Sequence, residues 1–187
     1  QVLPAFISTD QEGKDEREFL LDYFKELPDL LSMVFLKGYQ WPFDTDRIWN
    51  GSSVIDLLVY QETVLFGRRV YLDFRRNTGN EEICFQKLSK EAYDYLKQAG
   101  ADKGTPFERL KIMNPQAAEF YKEHGIDLKE QPLEIAVCAQ HNNGGLSVDC
   151  WWETDVRNLF AVGEASGTHG IKRPGGSALN AGQTGAL

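Results

Sequence analysis

The stretch that decides the fold runs from residue 159 to residue 187 and reads LFAVGEASGTHGIKRPGGSALNAGQTGAL. It starts with an apolar run of four residues and continues with Gly163, Glu164 and a loop of small residues. Pro174 and two glycines then lead into residues that are compatible with a helix. This order predicts a strand, a loop and a helix. Ligands of open α/β sheets bind outside the carboxyl ends of strands, so the junction is a candidate ligand site.

The helix entry at Gly175, Gly176 and Ser177 can bind an electron-rich ligand. A helix N-terminus carries unpaired N–H groups and the positive end of the helix dipole. Glycine lets a planar ligand come close to the backbone, and a phosphate, a carboxylate or the edge of a ring system would suit. The alternative is an ordinary glycine-rich helix entry. Glu164 has two readings as well: it accepts hydrogen bonds from sugar or polyol hydroxyls, or it is a solvated loop residue.

Candidate ligand-binding side chains flank this entry and a second glycine pair. His169 and Arg173 lie four residues apart in the loop. An arginine fork suits a carboxylate, and histidine donates a proton near neutral pH, although either residue alone is more often a surface residue. Upstream, Gln140 and His141 precede the glycine pair at 144–145. This segment predicts close backbone approach to a ligand, a tight hairpin turn, or both.

Composition excludes several classes of protein. A length of 187 residues is enough for one ordinary domain or two small ones, and a hydrophobic content of 42% can supply a core. A net charge of -8 argues against nucleic-acid binding. No run approaches 18 apolar residues, so we expect no membrane span. The three cysteines are widely spaced and form no C-x-x-C pair, which argues against zinc and iron–sulfur sites and favours a reduced, cytoplasmic protein.

The chain divides into a helical part and a strand-rich part, which predicts an α+β fold. Helical spacing is found at 15–27, 28–38, 53–67 and 81–100. Thr105 with Pro106, and Asn114 with Pro115, predict the starts of two further helices. The strand-forming run RRVYLDFRR at 68–76 interrupts the helices. From residue 133 two apolar runs predict strands at 133–138 and 159–163, in a different sheet from the strand at 70–74.

Three motifs in order resemble a known family. The run NLFAVGEASGTHGIKRPGGSALN resembles the C-terminal flavin-binding segment of the fumarate reductase/succinate dehydrogenase flavoprotein family, which includes L-aspartate oxidase. The segment at 140–145 resembles that family's His-x-x-x-Gly-Gly, and VYLDFR at 70–75 resembles its VYLDLR-like strand. The resemblance covers about residues 68–187. It implies a capping domain at 1–132 and part of an FAD-binding domain at 133–187.

The resemblance also implies roles for named residues. Glu164, at the strand end after Gly163, would lie at the ribityl chain of FAD, and Gly145 would belong to the second flavin-facing segment. The helix start would lie against the isoalloxazine ring through Gly176, Ser177, Ala178 and Leu179. His169 and Arg173 would hold a substrate carboxylate over the flavin, together with Gln140 and His141.

This sequence departs from the family pattern at two places. The first histidine of His-x-x-x-Gly-Gly is replaced by Gln140, and His141 follows one residue late. Glutamine can donate a hydrogen bond to a carboxylate but adds no positive charge, so the substrate need not be a dicarboxylate. The family's proton-donating arginine has no motif here. By its distance before VYLDF, Arg47 is the first candidate and Arg109 the second.

Two functional hypotheses follow. In the first, the chain is a fragment of an FAD-dependent oxidoreductase that transfers hydride between flavin and a small carboxylic acid. No G-x-G-x-x-G fingerprint follows a strand, so the region that binds the ADP half of FAD would precede this chain. The isolated fragment would then be inactive and hold no FAD. In the second, the chain is a non-catalytic cap that either binds a partner protein or packs within an oligomer. The aromatic segment YQWPFDTDRIW at 39–49 would form the contact.

Overall fold

The computed structural model describes residues 1–40, 43–138, 144–168 and 177–185, and the side chains of Ser177 and Ala178 are not among the described ones. The chain forms two compact units, Gln1–Val137 and Cys138–Leu187. The first unit ends at residue 137, whereas the sequence predicts a boundary after residue 132. The assignment of the two units as a cap and a flavin-binding segment stays a prediction.

The first unit contains a small antiparallel sheet of three strands. Strand β1 spans Ala5–Thr9, β2 spans Arg69–Asp73 and β3 spans Leu133–Ile135. Their order in the sheet is β1-β2-β3, so β2 lies in the centre. All five residues of β1 are buried.

Helices surround this sheet in the first unit. They are α1 (Leu20–Tyr23), α2 (Leu27–Tyr39), α3 (Val54–Tyr60), α4 (Lys90–Gln98), α5 (Pro106–Met113) and α6 (Pro115–Glu123). A π-helical turn, Gln61–Leu65, continues α3. The hydrophobic core takes side chains from β1, β2, α2, α3 and α4, and its fully buried members include Phe35, Val70 and Leu96. The structure is therefore mixed α+β, as the sequence predicts.

Two helix starts are confirmed in atomic detail. The Thr105 hydroxyl accepts a hydrogen bond from Glu108 N, and the Glu108 carboxylate accepts one from Thr105 N at 2.7 Å. This reciprocal pair is a capping box, and Pro106 occupies the first turn, where its missing N–H costs nothing. The Asn114 carboxamide oxygen likewise accepts from Ala117 N at the start of α6. In each of these contacts the two partners are three positions apart in the chain, so a local sequence pattern is enough to predict them.

Two predicted helices are much shorter than their patterns. The helical spacing at 15–27 yields only the four-residue helix α1, because Arg17 instead pairs with Ser8 of β1 through an isolated bridge. The pattern at 81–100 yields α4 from residue 90 onward, preceded by a 3-10 turn at Phe85–Lys87. Ser89 caps α4 by accepting a hydrogen bond from Ala92 N, which fixes the later start.

The predicted separate sheet is wrong. Strand β3 pairs with β2 in the first unit, with Val70 opposite Ile135 and Tyr71 opposite Glu134. Arg69 adds a two-pronged ion pair to Glu134, with Nε–Oε1 at 2.9 Å and Nη2–Oε2 at 2.6 Å. Residues 136–138 do not continue the strand. Ladder bonds and a cross-strand ion pair to β2 therefore outweigh the apolar pattern that predicts a sheet with 159–163.

The predicted strand at 159–163 is also wrong within the part of the chain that the structure describes. Phe160 forms one isolated bridge with Glu153, and a 3-10 turn follows at Gly163–Ser166. Helix α7, Ser177–Gly185, packs on this turn. A strand needs neighbours for its N–H and C=O groups, and the described residues of the second unit offer this run a single bridge.

Among the described residues, no helix is long and apolar enough to cross a membrane. The same residues contain no group of three His, Cys, Asp or Glu side chains that could hold a metal ion.

Candidate cofactor-binding site

Gly145 lies directly against the loop that follows the 3-10 turn of the second unit. A Cβ placed on Gly145 would lie 2.6 Å from Gly167 N and 2.7 Å from the carbonyl carbon of Ser166, and it would collide with Ala165 O. One residue further, Leu146 N donates a hydrogen bond to Ala165 O at 2.8 Å. Glycine is therefore required at 145 because two backbone segments touch there. The contact joins the glycine pair at 144–145 to the Gly163–Ser166 turn.

Gly163 brings helix α7 onto the same turn. Its φ angle is +64°, a conformation that favours glycine, and a Cβ there would lie 3.3 Å from the Cα of Gly182. The Ser166 hydroxyl donates to the Gly163 carbonyl oxygen at 2.8 Å and closes the turn. Glycine at 163 thus allows the helix backbone to approach the turn closely.

The second unit brings three of the predicted site segments together. Gly145, the turn with Gly163 and Glu164, and helix α7 are neighbours. Glu164 is exposed on the turn, and Leu179 on α7 is 74% exposed. Ser177 and Ala178 are the first residues of that helix. The remaining predicted residues of this site, Gln140, His141, His169, Arg173 and Gly176, lie outside the described residues.

Arg47 belongs to the first unit, on a 3-10 turn at Thr45–Arg47. Its Nε lies 3.6 Å from the Asp44 carboxylate, and its side chain is 41% exposed. The Asp44 side chain accepts a hydrogen bond from Asp46 N, and Ser53 Oγ accepts one from Asp44 N. The carboxylate beside Arg47 is thus held in place by its own turn.

Arg109, the second candidate for a proton donor, is completely buried. Its N–H groups donate to neutral oxygens: the carbonyls of Val2, Leu3, Lys103 and Gly104 and the Asn77 carboxamide. Burial lowers the pKa of the guanidinium to about 10. Arg109 therefore ties the start of the chain to α5, which is a structural role. No local sequence pattern could reveal it, since three of these partners, Val2, Leu3 and Asn77, lie 107, 106 and 32 residues away in the chain.

The last residue of β2, Asp73, is a second buried charge, and the sequence pattern did not predict it. The Asp73 side chain is fully buried and accepts hydrogen bonds from Arg75 Nε at 2.8 Å, Arg75 Nη2 at 2.9 Å and Arg76 Nε at 3.2 Å. Burial alone would raise the pKa of this carboxyl, but the bonds from Arg75 and Arg76 lower it below the ordinary value. The VYLDFR motif thus contains its own ion pair.

The described residues of the second unit fit an FAD molecule at the turn. A carboxylate at Glu164 suits hydroxyl donors such as those of a ribityl chain, and the residues around it are small. Leu179 offers an exposed apolar side chain on the neighbouring helix. Nothing in this arrangement of small residues, backbone and one carboxylate opposes a flavin ring and its polyol chain.

Comparison of the sequence with known proteins identifies the family of this chain. Residues 62–179 match the family model described as FAD binding domain. A segment of 73 residues is 48% identical to one subunit of the fumarate reductase (CoM/CoB) of Methanothermobacter marburgensis, covering 38% of this chain and 13% of that protein. L-aspartate oxidase of Pseudomonas aeruginosa is 36% identical over 107 residues, covering 52% and 20%. L-aspartate oxidase of Pyrococcus furiosus is 32% identical over 143 residues, covering 67% and 31%.

These matches cover less than a third of each of these three relatives. No solved structure matches. The family model begins at residue 62, within the first unit, and runs into α7. The match therefore includes β2 with VYLDFR, the glycine pair at 144–145 and the turn at 163–166. The chain belongs to the fumarate reductase/succinate dehydrogenase-like family of FAD-dependent oxidoreductases, whose cofactor is FAD.

Proposed function

We propose that this chain is part of a longer flavoprotein that transfers hydride between FAD and a small carboxylic acid. Two observations outside the site support this function. Relatives bear the names fumarate reductase and L-aspartate oxidase, which refer to small carboxylic acids. The matched segments amount to only 13–31% of those proteins, which supports a longer parent protein.

The convergence of Gly145, the Gly163–Ser166 turn and α7 carries the proposal. It brings segments that are distant in the sequence to one place, and these are the segments that the resemblance assigns to the flavin. FAD supplies the hydride acceptor or donor. Glu164 accepts hydrogen bonds from the ribityl hydroxyls, Gly145 keeps the neighbouring backbone close, and the N–H groups from Gly176 to Leu179 face the ring.

The substrate is bound by the loop between the turn and α7. Arg173 binds a carboxylate by two parallel hydrogen bonds, and His169 donates a further one. Gln140 and His141 contact the rest of the substrate. Because glutamine adds no positive charge, we propose a substrate with one strongly bound carboxylate and a less charged second group.

Proton transfer to the substrate is assigned to Arg47, which lies in the predicted capping domain, residues 1–132. An arginine donates a proton only if a neighbour returns one, and Asp44 lies 3.6 Å from its Nε. The cap excludes water when it closes over the substrate. The isolated 187-residue chain carries only one wall of the flavin site, so we propose that it is inactive and binds little FAD.

The test uses the full-length protein and the substitution Arg173→Lys. Lysine keeps the charge but cannot form the two-pronged contact, so kcat/KM should fall by about 30- to 150-fold, equivalent to about 2–3 kcal/mol. Flavin absorbance should be unchanged, because backbone groups hold the ring. The matched control is Arg157→Lys, since Arg157 is an exposed arginine of the same unit.

Two outcomes would contradict these roles. An unchanged kcat/KM would remove Arg173 from the substrate site. Loss of both flavin and activity would make it part of the flavin pocket. If the full-length protein shows no flavin absorbance at all, the enzyme proposal fails and the non-catalytic cap becomes the better hypothesis. The exposure of Trp49 at 81% and of Phe43 at 45% in the segment 39–49 favours that second candidate.

A further inference from the structure

A charged segment, residues 10–18 with the sequence DQEGKDERE, follows β1 and returns to the outer edge of the sheet at Ser8. We call it the strap. It leaves β1 at Thr9, turns at Gly13, whose φ is +78°, and returns beside β1. Ser8 N donates to Arg17 O at 2.8 Å, and Arg17 N donates to Ser8 O at 3.0 Å. These two backbone bonds join the returning segment to the edge strand.

Glu62 holds one side of the strap. Its carboxylate accepts hydrogen bonds from Arg17 Nη2 at 2.6 Å and from Ser8 Oγ at 2.6 Å. Arg68 Nε lies 3.3 Å from the same carboxylate, and Arg68 Nη1 contacts Asp15 Oδ2 at 2.8 Å. Glu62 lies on the π-helical turn after α3, so the strap is tied to a different element from the strand that it covers.

Arg76 holds the other side. Its Nη2 lies 2.6 Å from Glu16 Oε1, and its Nε bonds to the buried Asp73 at the end of β2. Glu18 accepts a hydrogen bond from Gly79 N at 2.7 Å. Around Arg17, which pairs with Ser8, successive side chains point to opposite sides, so Arg17 reaches Glu62 while Glu16 and Glu18 reach the other partner group. Asp15 has a φ of +50° and contacts Arg68.

Glu62 is the most buried of the charged residues that bind the strap. Its side chain is 5% exposed and that of Arg68 is 14% exposed, whereas Asp15 is 73% exposed. Exposed ion pairs contribute little and are screened by salt, but a buried carboxylate that loses its cation is left uncompensated. The strap is therefore held by ion pairs, by two backbone bonds and by side-chain hydrogen bonds such as Gln11 Nε2 to Gly67 O at 2.6 Å. Its own side chains are absent from the hydrophobic core cluster.

We propose that the strap is an ionic latch that opens locally and uncovers the outer edge of β1 at Ser8 while the rest of the first unit stays folded. A sheet edge with unpaired N–H and C=O groups is a template for pairing with another strand. The sequence of β1, AFIST, is apolar or β-branched at most positions, so its edge needs a cover. Opening is controlled by the charge at Glu62 and by ionic strength.

Amide hydrogen exchange on the full-length protein tests the latch, read at Ser8, Arg17 and the strap amides. Raising NaCl from about 0.1 to 1 M shortens the screening length from about 10 to 3 Å. We expect severalfold faster exchange there, and about tenfold or more in Glu62→Gln, with no change in α5. Asp15→Asn, at an exposed position, should give a smaller increase and replaces Glu62→Gln if that variant does not fold.

The control variant is Asp94→Asn, which removes an exposed ion pair with Lys90 on α4 and should leave strap exchange unchanged. Strap exchange that is insensitive to both salt and the Glu62 or Asp15 substitution would show that charges do not hold it. Equal acceleration in the strap and in α5 would show that the first unit opens as a whole. Either result overturns the proposal.

Discussion

The two units of this chain differ in how far they bury their apolar side chains. In the first unit Phe35 and Val70 are completely buried between the sheet and its helices. In the second unit Leu159, Phe160 and Val162 form an equally apolar run, yet they are 48%, 55% and 39% exposed. An apolar run becomes core only where other elements supply surfaces to bury it. The first unit contains those surfaces, and the described part of the second does not.

Truncating one phenylalanine in each unit gives the largest expected contrast. Phe35→Ala should lower the free energy of unfolding by about 3–5 kcal/mol, because it leaves a cavity in the core. Phe160→Ala should change it by less than about 1 kcal/mol in the 187-residue chain. Urea denaturation measures both. In the full-length protein Phe160→Ala should cost several times more, and an equally small effect there would contradict burial of this run in a flavin domain.

Arg109→Met removes the buried guanidinium of the first unit. Methionine fills part of the volume but leaves the carbonyl oxygens around it without donors, so we expect a loss of about 3 kcal/mol. Lys111→Met, at an exposed position of the same helix, is the control and should stay within about 0.5 kcal/mol. Comparable stability of the two variants in chemical denaturation would mean that water replaces the lost hydrogen bonds.

Asp73→Asn tests the buried charge at the end of β2 and its dependence on pH. The arginine partners lower the pKa of Asp73 in the folded state, so the stabilisation is complete above the unfolded pKa, about 4, and is lost as pH falls through the folded value. We expect a loss of about 2 kcal/mol at pH 7. Below about pH 4 the stability of the variant should fall less steeply than that of the wild type. Parallel curves from urea titrations at pH 7, 4 and 3 would refute this.

A matched glycine pair tests the second unit with the smallest expected effects. Gly145→Ala places a methyl group against the backbone of residues 165–167, and we expect a cost of about 1–3 kcal/mol. Gly182→Ala has room, with Gly163 Cα at 3.9 Å, and should stabilise α7 by up to about 1 kcal/mol. Flavin content of the full-length variants provides the second measurement. Equal flavin content and equal stability would contradict the close contact at Gly145.

Local signals in the sequence predicted the features whose partners are close along the chain. The Thr105 cap of α5 and the Asn114 cap of α6 are examples, since each cap bonds to a residue three positions further on. The family was also predicted, because the run from 158 to 180 is a contiguous motif. The roles of His169, Arg173 and the other site residues stay predictions.

Features that depend on distant partners were not predictable in this way. Strand β3 pairs with a strand more than 60 residues earlier, which the apolar pattern alone could not indicate. Glu62 and Asp73 are charged residues inside structured segments, and charged residues of this kind are expected at the surface. Their burial depends on Arg17, Arg68, Arg75 and Arg76, whose directions are set by the folded sheet.

The sequence by itself therefore determined the starts of α5 and α6, the mixed α+β class and the family. Backbone capping and a contiguous glycine-rich motif depend on residue types a few positions apart, so they are written in the local order of residues. The tertiary structure alone decided which strand β3 joins, which charges are buried and which apolar run is left exposed. These outcomes depend on free energies of pairing and burial between segments that are far apart in the chain, and several pairings compete until the fold brings one set together.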